Sequence, residues 1–298
     1  LNERGGIEAD LTVTRLNSDR YMIVTGVGTQ VRDFQWLMRQ IPDGADAKLT
    51  DITEDLAVLG VMGPASRALL ADVSDVDFSN GGFPFQTSKE IDLAGAQVRA
   101  SRITYVGELG WEIYAPTEFA QDIYDKILAA GTEHGLKLAG MQALNSLRME
   151  KAFRHWGHDI VDEDTPLEAG LGFAVKFDKP GGFIGREALL RQKDELSKTK
   201  SGVLKKRLVQ FALENPEPML YHNEPIWCNN KIFGDLTSGM YGHTIGTCLG
   251  MGYVSHEDGV SKEFLESSVF EIEVAGERHR ARASLRAFYD PQSERVRM

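Results

Sequence analysis

The stretch Asn2-Glu3-Arg4-Gly5-Gly6-Ile7-Glu8-Ala9-Asp10 places a carboxylate just behind a glycine pair. Paired glycines allow a tight turn with positive φ and close backbone approach. A strand after them would hold Asp10 at a defined place on a sheet. There a carboxylate can act as a base or steady a nearby cation. The competing reading is an acidic turn residue. A second stretch is Tyr105-Val106-Gly107-Glu108-Leu109-Gly110-Trp111-Glu112-Ile113-Tyr114. Its aromatic residues bracket a Gly-rich turn and then a carboxylate within an apolar strand. A Glu between Trp and Ile on a half-buried strand is costly unless paired. A flat ring with adjacent N–H donors would satisfy both oxygens side by side. Simple alternation would instead turn Glu112 to solvent.

Two further groups sit close together. In Asn145-Ser146-Leu147-Arg148-Met149-Glu150-Lys151, a helix would turn Leu144, Leu147 and Met149 inward. Arg148 could then grip a carboxylate with two parallel hydrogen bonds, or form an i,i+3 or i,i+4 surface ion pair. In Arg154-His155-Trp156-Gly157-His158-Asp159 the two histidines are three apart with a glycine between them. Helical metal ligands use i,i+4 spacing, so no metal site is expected. Trp156 reads as packing or as a stacking wall for a flat ligand. No GxGxxG opens a βα unit, and neither GxxxxGK[ST] nor GxSxG occurs. The chain therefore carries no motif for a dinucleotide, a nucleotide phosphate or a hydrolase nucleophile.

The elements that would position these residues follow from periodicity. Residues 11–15 and 21–25 read as strands around an Asn17-Ser18-Asp19 turn. Residues 31–40 read as a helix, and 56–61 as a strand ending at Gly63-Pro64. A helix over 65–72 follows, with Pro64 near its first turn. Strands are expected at 97–104 and 111–114, then helices at 119–134 and 141–153. Residues 194–206 are polar, charged and Gly/Ser-punctuated, as linkers are. Beyond them, 207–212, 225–227, 232–237, 247–254, 268–274 and 280–285 read as short strands of a small barrel or sandwich. Strands and helices intermix without a βαβ rhythm, so the class is α+β. The expected division is residues 1–200 and 201–298.

Composition narrows the function classes. A formal net charge of −11 argues against a broad nucleic-acid surface, though not against an anionic small ligand. No apolar run approaches the ~20 residues of a membrane span, and no signal peptide is visible. Cys228 and Cys248 form no CxxC, which favours two unpaired thiols in a reducing compartment. The opening at Leu1 reads as the middle of an element, so a truncated or processed start is expected.

Taken together, the stretches resemble the aminomethyltransferase (glycine-cleavage T-protein) family. The matching blocks are NERGGIEADLTV (2–13), VLGVMGPASRALL (58–70), YVGELGWEIYAP (105–116), NSLRMEKAFRHWGHDI (145–160), TPLEAGLGFAVKFDK (165–179), FIGREAL (183–189) and TSGMYGHTIGTCLGMGYV (237–254). They run in order across nearly the whole chain. The RHWG run, WEIY, FIGREALLRQ and the closing FYDPQSERVRM are similar to the folate domain fused behind the flavin domain of sarcosine and dimethylglycine dehydrogenases.

That resemblance implies a multi-domain T-protein-like fold: three small domains around a central folate hole, with a C-terminal β-barrel. It implies Asp10 as the catalytic carboxylate, with Ala9 where stand-alone T-proteins carry a second acid. Thr12 and Gly26 match folate-contacting positions, and Glu112, Ile113 and Tyr114 match the segment that holds the pterin. Tyr105, Arg148 and Trp156 complete the candidate folate-binding set, with a structural role as the alternative for Arg148, and no metal is implied. Leu144 stands where stand-alone T-proteins carry a ligand arginine. The implied cofactor is tetrahydrofolate. FAD would belong to a flavin domain absent from these residues, which oxidises an N-methyl amine to the iminium that folate captures. The implied partners are thus a folate, that iminium and the flavin domain of the same polypeptide, with no nucleic acid or membrane. The setting would be bacterial cytoplasm or mitochondrial matrix. The first domain is expected to be incomplete. Two alternatives stay open. One is a stand-alone folate-dependent aminomethyltransferase or demethylase. The other is a non-catalytic folate-binding module, against which the retained Asp10 speaks.

Overall fold

In the computed structural model, which describes residues 1–198 and 202–298, the chain divides into two units. One comprises Leu11–Gly140 and Gln292–Met298, the other Leu1–Asp10 and Met141–Pro291. The boundary expected at residues 200/201 lies outside the described residues.

The first unit opens with a hairpin of β1 (Thr12–Arg15) and β2 (Tyr21–Val24). Asn17 makes the turn, its side-chain oxygen accepting from the amides of Asp19 and Arg20. Helix α1 (Gln30–Gln40) follows. A four-stranded antiparallel sheet then runs in the order β3 (Leu56–Met62), β6 (Gly110–Pro116), β5 (Ala96–Ser101), β4 (Ser88–Leu93). Helices α2 (Ser66–Ala71) and α3 (Ala120–Gly131) belong to the same unit. Alternation divides the sheet into two faces. Trp111, Ile113 and Ala115 enter a core with Leu69, Leu70, Ile123 and Ile127. Phe78 and Phe83 meet Trp111 edge-on at 5.3 and 6.0 Å. Glu112 and Tyr114 therefore lie on the opposite face.

Strand β4 was not expected from sequence, although Ile91 and Leu93 alternate with Glu90 and Asp92. The strand expected over 97–104 stops at Ser101. Arg102 leaves the ladder to bury its guanidinium, which donates to Phe83 O at 2.7 Å and Met298 O at 2.9 Å.

The second unit contains α4 (Met141–Glu150) and α5 (Arg186–Lys198). Helix α4 stops before the expected Phe153 because Ala152 adopts φ +53°. The Phe153 amide then turns back to Arg148 O, a left-handed helix end. Residues 194–198, expected in a linker, instead form the last turn of α5. Six strands close a barrel in the order β10 (Thr247–Ser255), β7 (Lys206–Leu213), β12 (Glu277–Ser284), β11 (Phe270–Val274), β8 (Pro225–Cys228), β9 (Lys231–Gly242). The short α6 (Lys262–Ser267), unforeseen from sequence, is capped by Ser261.

Strand β7 is buried on both faces, and alternation explains why. Val209, Phe211 and Leu213 fill the barrel. Leu208 and Ala212 point outward and pack with Met149 and Ala152, alongside Leu249 and Met251 of β10. Gln210 ties this layer together, donating to Met149 O and accepting from the Phe288 amide.

Candidate functional site

The expected site residues fall in both units. Within the sheet of the first unit, Glu112 is half-buried and accepts a hydrogen bond from the Tyr114 hydroxyl two residues on. Among the described residues this is the carboxylate's one hydrogen bond, and it goes to Oε2. Burial first, then the carboxylate's hydrogen bond and charge, push the buried Tyr114 phenol well above its ordinary value. Tyr114 is thus a donor at any ordinary pH. Opposite Glu112 stand Gly60 on β3 and Ser101 on β5. Gly60 has no side chain and leaves that flank open; a Cβ there would meet only Met62 Cε, at 3.5 Å. Ser101 is occupied with Ser88 at 2.9 Å. Ile113, expected beside the ligand, points its side chain into the core, so only its backbone shares the Glu112 face.

Elsewhere in this unit, Thr12 is half-buried on β1 across from Val24. Gly26 is exposed just before the Thr29 side chain, whose hydroxyl donates to Gly26 O at 3.1 Å. Thr25 and Arg32 both bond the buried Asp33. Tyr105 is half-buried in the irregular segment leading to β6.

In the second unit, Asp10 is not on a sheet, contrary to the expectation from the glycine pair: it precedes β1 in a stretch that forms no strand. Its side chain is exposed, yet surrounding protein atoms desolvate the carboxyl and raise its pKa. The segment before it is held tightly. Asn2 Oδ1 accepts from the amides of Arg4 and Gly6, and its Nδ2 donates to Asp162 O at 2.8 Å. The Ile7 amide donates to Asp164 O at 2.9 Å. The glycine pair is needed here. Gly5 adopts φ +85°, and a Cβ on Gly6 would overlap Asp162 O.

Arg148 corrects two expectations. It is neither on a surface ion pair nor open to a ligand carboxylate. It is 1% exposed, and its guanidinium bonds Asp159 Oδ2 at 2.5 Å, Phe153 O at 2.9 Å, Ser238 Oγ at 2.9 Å and Asn145 Oδ1 at 2.7 Å. Asp159 is completed by Thr237 Oγ1 at 2.6 Å and the His155 amide at 3.0 Å. The inward face of α4 is therefore Ser146, Arg148, Met149 and Glu150, while Leu147 is exposed. Trp156 donates its indole N–H to Ile7 O at 2.8 Å and packs against the Ile7, Ile160 and Ala169 cluster. The His155 and His158 rings lie 4.6 Å apart. Burial, His158 and Arg148 together lower the His155 pKa.

Among the described residues no group of three or more His, Cys, Asp or Glu side chains could hold a metal ion. No helix among them is long and apolar enough to cross a membrane. A cleft of about 440 Å³ in the second unit, bordered by Leu167, Phe177, Lys193 and Arg207, contains none of the expected site residues. The sequence reading missed Asp159 as the partner of Arg148. It also missed Asn2, Asp162 and Asp164 as the clamp behind Asp10. Only the Asx-turn chemistry of Asn2, just ahead of the glycines, signalled that clamp.

A helix-backed antiparallel sheet and a closed barrel carrying a helix on its β7–β10 face define an aminomethyltransferase-type fold. Residues 1–179 match the GCVT N-terminal domain, and residues 206–290 match the glycine cleavage T-protein C-terminal barrel domain. The chain belongs to the glycine cleavage T-protein family. It is 42% identical over its full length to 4-methylaminobutanoate oxidase (formaldehyde-forming) of Paenarthrobacter nicotinovorans, covering 34% of that protein. It is 38% identical to human mitochondrial sarcosine dehydrogenase, again over its full length and 33% of the relative. The chain thus spans about a third of the length of these relatives. The crystal structure of glycine cleavage system aminomethyltransferase T from Bartonella henselae superposes with a TM-score of 0.78 at 27% identity, covering 96% of this chain and 73% of that one.

Proposed function

We propose that the chain is the tetrahydrofolate-binding, one-carbon-transfer domain of an amine-demethylating flavoenzyme of the sarcosine/dimethylglycine dehydrogenase type. The observation that carries this reading is Glu112. Its carboxylate is half-buried, held on one oxygen by Tyr114 and flanked by the bare Gly60. Such a group fits a pterin edge, whose adjacent N–H donors would satisfy the remaining oxygen lone pairs. The names of the longer relatives, both amine oxidoreductases, support the fusion to a flavin-bearing region. In this reading residues 1–200 form the folate-binding region, 201–298 the barrel, and FAD is carried elsewhere in the polypeptide. A reducing setting, bacterial cytoplasm or mitochondrial matrix, agrees with two buried free cysteines.

Tetrahydrofolate, when bound, supplies the two nitrogens that receive the carbon. Glu112, steadied by Tyr114, orients the ring so that attack geometry is set beforehand. Thr12, Gly26 and Tyr105 line the ligand, and Ile113 contributes backbone only. Arg148 holds the scaffold. Transfer from an iminium is redox-neutral: two C–N bonds form, and the bonds between the carbon and the amine nitrogen are lost. Two folate N–H protons are released, one to the departing amine and one to base or solvent. Asp10 is placed in the second role, and its raised pKa suits a group that must hold and release a proton.

The test uses the full-length protein with sarcosine or dimethylglycine and tetrahydrofolate. Asp10→Asn should leave flavin reduction intact and divert the carbon from 5,10-methylenetetrahydrofolate to free formaldehyde. Undiminished methylene transfer in the variant sinks the assignment. The second reading, a stand-alone aminomethyltransferase, draws on the Bartonella likeness. A protein purified without FAD and active on an aminomethyl donor would favour it.

A further inference from the structure

Asp10 has no sheet to fix it, so its position depends on the residues that clamp the chain just before it. Asn2 and Gly6 anchor the turn, and the Ile7 amide is bound to Asp164. The Ile7 carbonyl, three residues before Asp10, receives the indole N–H of Trp156 at 2.8 Å. The donor is well seated. Trp156 forms a bridge with Ile160, and the Gly157 amide bonds Ile160 O at 2.8 Å. The same loop is tied to α4 and the barrel through the His155 amide, Asp159, Arg148 and Thr237. Within one unit, hydrogen bonds thus tie strand β9 through Asp159 to the His155 amide, and the adjoining residue Trp156 carries the link on to the Ile7 peptide.

We propose that Trp156 is a positioning residue for Asp10. Its N–H fixes the Ile7 peptide plane, and with it the direction in which the Asp10 carboxylate leaves the chain. An indole suits this role: it is a donor only, on a rigid ring already packed against Ile7, Ile160 and Ala169. Trp156 therefore acts through the backbone and need not stack on a ligand. The inference rests on the reading of Asp10 as the proton-handling carboxylate.

Trp156→Phe keeps an aromatic ring, though a smaller one, and removes the donor. It is compared with Asp10→Asn and wild type in the full-length protein. The probes are tetrahydrofolate and an iminium made in situ from formaldehyde and methylamine. The expected result has three parts. Methylene transfer falls about tenfold or more, as a misplaced reacting group should produce. Tetrahydrofolate affinity changes by less than about threefold. Amide hydrogen exchange rises over residues 8–10 while the barrel strands keep their protection. Unchanged transfer and unchanged exchange in Trp156→Phe, with Asp10→Asn inactive, overturn the positioning role alone. Full activity in Asp10→Asn overturns the functional reading beneath it. Wild type gives a check that needs no variant. The Trp156 indole N–H must exchange as slowly as the barrel amides, and fast exchange overturns the proposal.

Discussion

Arg148 Nη1 lies 2.5 Å from Asp159 Oδ2, and both side chains are almost wholly withdrawn from water, at 2% and 0% exposure. The pair joins α4 to the 155–159 loop and, through Ser238 and Thr237, to β9. Removing one partner strands the other charge in the interior. Arg148→Leu should therefore cost about 3–5 kcal/mol in urea unfolding. In whatever fraction remains folded, reduced-folate affinity should be unchanged. A variant of normal stability with lost folate affinity would return Arg148 to the ligand.

Two glycines separate close packing from ligand contact. A Cβ on Gly6 would overlap Asp162 O, so Gly6→Ala must shift backbone and should cost about 1–3 kcal/mol. A Cβ on Gly26 meets only Thr29 Oγ1, at 3.7 Å. Gly26→Ala should therefore unfold within about 0.5 kcal/mol of wild type. Weaker folate binding in that stable variant would place Gly26 against the ligand. Chemical denaturation and calorimetry together check both expectations.

Desolvation by the surrounding protein atoms raises the Asp10 carboxyl above its ordinary 3.8, although the residue is exposed. The folded chain then keeps this proton to higher pH than the unfolded chain does. Its contribution to stability is fully present below 3.8 and is lost as pH rises through the folded value. Asp10→Asn removes that loss. The variant should gain thermal stability relative to wild type at neutral pH and show a smaller gain in acid, while methylene transfer collapses. Equal destabilisation at both pH values would contradict the assigned environment.

Tyr114→Phe removes the hydrogen bond that the phenol donates to Glu112. Reduced-folate affinity should fall several-fold, near the ~1 kcal/mol of a single hydrogen bond. An unchanged dissociation constant by fluorescence titration would show that Glu112 needs no such support.

The barrel was largely legible, because its six strands are apolar runs cut by Gly and Asn turns. Closure was not legible from periodicity. It depends on pairings such as β10 with β7 and β8 with β11, which join runs far apart in sequence. Helix α5 was half-read as linker because its exposed end, Lys193-Asp194-Glu195, is as charged as a linker. Glu112 stood out as a carboxylate in an apolar strand. Its tie to Tyr114 follows from strand alternation, which puts residues two apart on one face. Arg148 could not be placed by local spacing. Asp159 is eleven residues away and Ser238 ninety, so local spacing offered a surface ion pair first and a ligand grip second, and neither true partner.

Titration calorimetry with a reduced folate, on the wild-type protein and on Glu112→Ala, tests the central claim most directly. The account predicts saturable wild-type binding that weakens by at least an order of magnitude, about 1.4 kcal/mol, in the variant. Wild-type binding that survives Glu112→Ala unchanged, or no binding by folded wild-type protein, would contradict it.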